Sequence, residues 1–171
     1  MNSSGFRGAL PTDLLEVQKY AYELISLRCI DIVPSVESKD YGACTFTLGY
    51  KNIIFRVAKK TPTKVGQFVT FWKRIGSGPI MPYDCADSFD FFVVSVRSGK
   101  NFGQFVFPKH ILWEKGVISK ERKGGKRAIR VYPPWDTTDN AQAIKTQAWQ
   151  QNYFFEILPT LDIITMQRLF S

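Results

Sequence analysis

Three aspartates that stand close together are the residues best suited to metal chemistry. Asp84, Asp87 and Asp90 fall on a loop and at the start of an apolar run, with no glutamate beside them. Metal-dependent cleavage needs clustered carboxylates, because Mg²⁺ prefers oxygen ligands. Asp is also common in turns, and a carboxylate buried at Asp90 would need a partner. We expect all three to be structural, and keep Asp84 and Asp90 as candidate acids of a nuclease.

Other catalytic and cofactor motifs are missing from the sequence. His110 is the single histidine, and no cysteine precedes a recognisable base motif, which argues against a nucleophilic triad. The phosphate-cradling patterns GxxxxGK[ST] and GxGxxG do not occur. Cys29, Cys44 and Cys85 are widely spaced with no CxxC pair, which favours free thiols in the cytoplasm over a disulfide framework or structural zinc. We therefore expect no cofactor and no bound metal.

Positive charge is concentrated in the middle of the chain. Residues 41–135 hold 17 of the 23 basic residues but 5 of the 15 acidic ones, a net charge of +12 where the whole chain carries +8. A basic patch of this kind is typical of proteins that bind nucleic acid or another polyanion. No apolar run approaches the roughly 20 residues that span a bilayer, so we expect no membrane partner.

The central cations form two groups. The first comprises Arg56, Lys59, Lys60, Lys64, Lys73 and Arg74, together with Gln67. The second comprises Lys123, Lys126, Arg127 and Arg130. Gly124–Gly125 in the second group would let the backbone approach phosphates, which arginine can hold with two hydrogen bonds. Aromatic residues near these cations could stack on unpaired bases if exposed: Trp72, Tyr83, Trp113, Tyr132 and Trp135.

Hydrophobic periodicity predicts the elements that position these groups. Predicted helices cover residues 12–30, 61–74, 109–116 and 138–158, with a weaker helix after Pro159. A hairpin is expected over 43–59, a fully buried strand over 89–96 with a partner at 103–107, and a short strand over 128–132. Residues 31–41 are expected to be a loop. This order predicts one α/β domain over residues 1–171, with a mixed central sheet covered by helices on both faces.

Four stretches resemble the MepB-like family and cover most of residues 41–154. They are FRVAKKTPTKVGQFVTFWKR (55–74), DSFDFFVVSVRSGKNFGQFVFPKHIL (87–112), GGKRAIRVYPPWD (124–136) and KTQAWQQNYF (145–154). The resemblance implies a restriction-endonuclease-like core, a role in binding nucleic acid, and a cytoplasmic protein encoded beside a multidrug efflux pump. It leaves residues 159–171 as a C-terminal helical tail.

The same resemblance bears on cleavage. Active nucleases of this fold carry an acid-x-Lys triplet, and the matching lysine here is Lys59. Val57 stands where the acid would be, so the triplet cannot hold Mg²⁺ in the usual way.

We predict a nucleic-acid-binding domain that does not cut. One wall of a basic cleft would hold Lys59, Lys60, Lys64, Lys73 and Arg74, and the other Lys123, Lys126, Arg127 and Arg130. A Mg²⁺-dependent nuclease is the first alternative, with an acid that has migrated to Asp84, Asp90 or Glu37. A module that docks an acidic protein and an efflux-related small-molecule binder remain further alternatives.

Overall fold

The computed structural model describes residues 10–171. In chain order these residues form α1 (Thr12–Tyr20), β1 (Cys29–Pro34), β2 (Cys44–Leu48), β3 (Lys51–Val57), β4 (Lys59–Lys60), β5 (Gln67–Thr70), β6 (Trp72–Lys73), β7 (Met81–Pro82), β8 (Phe91–Ser98), β9 (Asn101–Pro108), α2 (Lys109–Glu114), β10 (Ala128–Val131), α3 (Ala141–Gln150), β11 (Phe154–Leu158) and α4 (Ile163–Phe170). Short 3₁₀ turns lie at Tyr22–Ile25, Lys39–Tyr41 and Gln151–Tyr153. None of the helices in this part of the chain is long and apolar enough to cross a membrane.

A six-stranded mixed sheet forms the centre of the fold, in the order β1-β2-β3-β8-β9-β11. The β3–β8 pair is parallel, with Ile53 opposite Phe91 and Val57 opposite Ser95, and the other neighbours are antiparallel. The apolar run at the start of β8 is buried on both faces, as its sequence predicts for a central strand. A three-stranded sheet, β10-β5-β4, packs beside the large one.

Alternation along β8 separates two hydrophobic cores. Phe91 and Val93 pack with α1 and α4 on one face of the sheet. Phe92 and Val94 pack on the other face with α2, α3 and the three-stranded sheet. Helices therefore cover both faces, and the predicted α/β class with a mixed central sheet is confirmed.

The helix predicted over residues 61–74 is wrong, because this stretch forms β5 and β6. Val69 is fully buried while Phe68 is half-buried, which is the alternation of a strand. Gly66 has a φ of +82°, and a Cβ there would lie 2.7 Å from the ring of Tyr132. The apolar spacing satisfies a helix equally well, but pairing with β10, about 60 residues further on, decides the outcome.

Two other predicted helices are too long. The first ends at Tyr20, and part of the expected loop 31–41 is strand β1. The last long helix ends at Gln150, and the aromatic residues after it pair with β9 as strand β11. Both corrections come from edge strands whose β-branched and aromatic residues pack on the central sheet. The short helix α2, strand β10 and the helix in the tail are confirmed.

Candidate nucleic-acid interface

A groove of about 650 Å³ runs between β10 and α3. It is lined by residues of the turn after β4, the end of α2, β10 and α3. Five of them are basic and one, Asp139, is acidic; the basic residues are Lys64, Lys115, Lys126, Arg130 and Lys145. Members of both predicted cation groups therefore meet here, since Lys64 belongs to the first group and Lys126 and Arg130 to the second.

The cations of the groove are not neutralised by carboxylates. The ion pairs found within residues 10–171 join Lys73, Arg74 and Arg97 to acids, and none involves a basic residue of the groove. The guanidinium of Arg130 instead donates to the hydroxyl of Thr61 at 2.9 Å, which holds the arginine against the turn after β4. An anion entering the groove would therefore meet five cations that form no ion pair within residues 10–171, against the single carboxylate of Asp139.

A buried glutamine joins the two walls of the groove. Gln150, at the end of α3, is 0 % exposed. Its amide nitrogen donates to the carbonyl oxygen of Arg130 at 3.0 Å, and its amide oxygen accepts from the backbone N–H of Tyr132 at 2.8 Å. These bonds occupy backbone groups on the open edge of β10, as a further strand would. Sequence reasoning missed Gln150 because a polar residue in a helix ordinarily faces solvent.

A second glutamine secures the segment between β10 and α3. Gln147 donates to the carbonyl oxygens of Pro133 and Asp136, both at 2.9 Å. The side chain of Asn140 caps α3 by accepting from the N–H of Ala143 at 2.9 Å. Side-chain amides therefore cap the start of α3 and tie its C-terminal half to β10 and the segment that follows it.

The first predicted group of cations is divided by the fold. Lys64 lines the groove, while Lys59 and Lys60 are exposed on β4. The ammonium of Lys59 lies 4.7 Å from the centre of the Tyr41 ring. Burial raises the pKa of Asp136, and the nearby Lys60 ammonium acts in the opposite direction. Lys60 thus has the carboxylate of Asp136 close by.

The other members of the first group are occupied elsewhere. Lys73 pairs with Asp87 at 2.5 Å, and Arg74 pairs with Glu37 at 2.9 Å. These two cations are bound to carboxylates and do not line the groove.

Arg56 and Gln67, also predicted to contact a ligand, are corrected by the structure because both are 2 % exposed. The Arg56 guanidinium donates to the Phe55 carbonyl at 2.9 Å, and the Gln67 amide donates to the Arg97 carbonyl at 3.1 Å. Arg56 also donates to the Tyr83 hydroxyl at 3.2 Å, so both side chains are used inside the fold and do not reach a ligand.

The second predicted group stays at the surface. Lys123, Lys126 and Arg127 are exposed, and Arg130 is half-buried. The N–H of Lys126 donates to the carbonyl of Val117 at 2.8 Å, and the carbonyl of Arg127 accepts from Phe71 at 2.8 Å. The backbone is tied down on both sides while the side chains remain free to meet a ligand.

Lys123 belongs to a strained turn. Glu121 and Arg122 have φ values of +53° and +64°, and the flanking Lys120 and Lys123 exchange backbone hydrogen bonds of 3.1 and 3.0 Å. Left-handed backbone at residues other than glycine costs about 1–3 kcal/mol each. The turn persists because other contacts hold it.

Asp84 supplies those contacts. One carboxylate oxygen accepts from the Ser119 hydroxyl at 2.7 Å and from the Arg122 N–H at 3.0 Å, and the other accepts from the Ala86 N–H at 2.9 Å. These hydrogen bonds, that of Ser119 foremost, lower the pKa of Asp84 to about 2. Its oxygens are used to hold two loops together, which is the structural role expected from the sequence.

Asp90 and Lys59 lie towards opposite ends of the central strands. Asp90 is exposed rather than buried, and accepts from the N–H of Asn52 at the start of β3 at 2.7 Å. Lys59 follows the other end of β3, and the six residues from Asn52 to Val57 alone span about 16 Å. No group of three or more His, Cys, Asp or Glu residues that could hold a metal occurs within residues 10–171.

Comparisons with known proteins give one strong match. The MepB-like family model matches residues 35–156. A solved structure described as the crystal structure of MepB is 32% identical, with a TM-score of 0.75, and the alignment covers 88% of this chain and 99% of that chain. A bacterial homing endonuclease is 14% identical, with a TM-score of 0.43, over 81% of this chain and 86% of that chain. No curated protein matches the chain.

Proposed function

The chain belongs to the MepB-like family, and we propose that it binds nucleic acid, without cutting it, in the groove between β10 and α3. The observation that carries this proposal is the set of five basic residues that line the groove without ion pairs, against one acidic residue. Phosphates would contact the side chains of Lys64, Lys126 and Arg130 from one wall and of Lys145 from the other, with Lys115 after α2 as the fifth contact. Contacts of this kind position a nucleic acid without reading its sequence.

The contacts and positions of the three candidate nuclease acids do not favour cleavage. Asp84 already accepts three hydrogen bonds, and Asp90 lies at the far end of β3 from Lys59. The third candidate, Glu37, is paired with Arg74. We therefore propose binding as the function and expect purified protein to leave nucleic acids intact in Mg²⁺ or Mn²⁺.

We also propose that the protein works in the cytoplasm. Its three cysteines are free. Burial raises the pKa of the Cys29 and Cys44 thiols to about 12, so these two are poor nucleophiles at neutral pH.

Charge reversal at Lys126, which lines the groove, and at its exposed neighbour Arg127 tests the proposed function. We expect Lys126→Glu with Arg127→Glu to weaken binding of labelled oligonucleotides by at least about tenfold, and by similar factors for different sequences, because phosphate contacts are lost. Fluorescence anisotropy measures the affinity.

The matched control is Lys19→Glu with Arg168→Glu, which makes the same change in net charge on α1 and α4, across the sheet from the groove. Equal losses in both double variants would show that net charge, not the groove, governs binding. Pull-down of an acidic protein that survives nuclease treatment, with no affinity for oligonucleotides, would instead favour the protein-docking alternative.

A further inference from the structure

One aromatic side chain is exposed beside the strained turn. Trp113, on α2, is 48% exposed. The four other aromatic residues that lie near basic groups in the sequence are all half-buried: Trp72, Tyr83, Tyr132 and Trp135. Trp113 therefore offers an indole face that no core contact explains.

A lysine occupies that face loosely. The ammonium of Lys120 lies 4.7 Å from the centre of the Trp113 ring. An exposed cation–π contact is weak, and a lysine side chain can swing aside. A base stacked on an indole gains more than such a contact provides. The displaced ammonium would then lie beside the phosphate of the stacked nucleotide.

The strained turn keeps its cations in place near the indole. Backbone hydrogen bonds between Lys120 and Lys123 close the turn, and Asp84 anchors it through Arg122. Strain that the surrounding structure maintains is characteristic of functional sites. The chain then runs through Gly125 to Lys126, whose side chain lines the groove. The turn thus connects the tryptophan to the proposed interface.

We propose that Trp113 is a base-stacking platform, with Lys120 and Lys123 binding the adjoining phosphates. A nucleic acid whose backbone lies in the groove between β10 and α3 would continue across the turn onto Trp113. This inference rests on the proposed function and adds a contact to the base itself, which the groove cations do not make.

An abasic probe separates stacking from phosphate binding. We would compare a labelled oligonucleotide of about 12 nucleotides, within the range of single binding sites, with an abasic sugar–phosphate chain of the same length. Trp113→Ala should lower affinity for the base-bearing probe by about tenfold and leave affinity for the abasic chain unchanged within about twofold. Trp113→Phe should lose less than Trp113→Ala because it keeps an aromatic face.

Tyr50→Ala is the matched control, since Tyr50 is fully exposed in the turn between β2 and β3. It should leave both affinities unchanged. Equal losses on the two probes in Trp113→Ala, or no loss on either, would overturn the stacking proposal while leaving the groove intact. Failure of the unaltered protein to bind either probe would overturn the proposed function itself.

Discussion

Replacing Gln150 by leucine would loosen the attachment of α3 to the edge of β10. The substitution removes both hydrogen bonds of the amide and leaves the part-buried Arg130 carbonyl and Tyr132 N–H without these partners. Each unsatisfied buried group costs about 1–3 kcal/mol, and burial of the leucine methyl groups recovers part of that. We therefore expect Gln150→Leu to lower the free energy of unfolding by about 2–4 kcal/mol. A domain of ordinary stability, about 5–15 kcal/mol, would remain folded.

Urea unfolding followed by tryptophan fluorescence measures this loss, and anisotropy with a labelled oligonucleotide measures its effect on the groove. Loosening α3 moves Lys145 relative to Arg130, so affinity should also fall under conditions where the variant is folded. Gln142→Leu is the control, because Gln142 lines the groove on the same helix but is exposed. The view that this amide joins the two walls would be refuted if the free energy of unfolding of Gln150→Leu lay within about 0.5 kcal/mol of that of the unaltered protein. Such a difference is well under the cost of a single unsatisfied group.

Two further substitutions test the supports of the interface. Hydrogen bonds lower the pKa of Asp84 to about 2 in the folded protein, so its carboxylate stabilises the fold at pH values above the pKa of about 4 that it has in the unfolded chain, and this stabilisation is lost as the pH falls towards 2. The difference in urea midpoint between the unaltered protein and Asp84→Asn should therefore shrink between about pH 4 and pH 2. A difference that stays constant over this range would contradict the role of the carboxylate. Gly66→Ala should lower the free energy of unfolding by about 1–3 kcal/mol more than Gly76→Ala does. Both glycines have a positive φ, but only at Gly66 would a Cβ meet the Tyr132 ring. Thermal unfolding compares the two variants, and equal losses would show that backbone strain alone matters.

The parts of the fold that the sequence predicts are those with strong local patterns. The apolar run of β8 and the hairpin of β2 and β3 need no information from distant residues. Strand β5 lacks such a pattern, because its apolar residues satisfy helical and extended spacing alike. Its conformation is decided by β10, with Val69 opposite Ile129.

The candidate site, too, is predicted from the sequence only where its residues cluster along the chain. Charge clustering in the sequence identifies Lys64, Lys126 and Arg130, but Lys115 and Lys145 are isolated along the chain and reach the groove only through folding. The exposure that the sequence predicts for Arg56 is wrong, because β3 lies between two covered faces of the sheet and buries even this charged side chain near its end.

The salt dependence of binding tests the central claim most directly. A nucleic acid that contacts the five cations in the groove releases the counterions of about five phosphates. The logarithm of the association constant should therefore fall linearly with the logarithm of the salt concentration, with a slope between about −3.5 and −4.5. Affinity for an oligonucleotide would then fall roughly 100- to 500-fold between 50 and 200 mM salt, and the slope should become shallower by about 1 to 2 in the variant with Lys126→Glu and Arg127→Glu. An affinity that is unchanged over this range, or a slope that the variant leaves unaltered, would contradict phosphate binding in the groove.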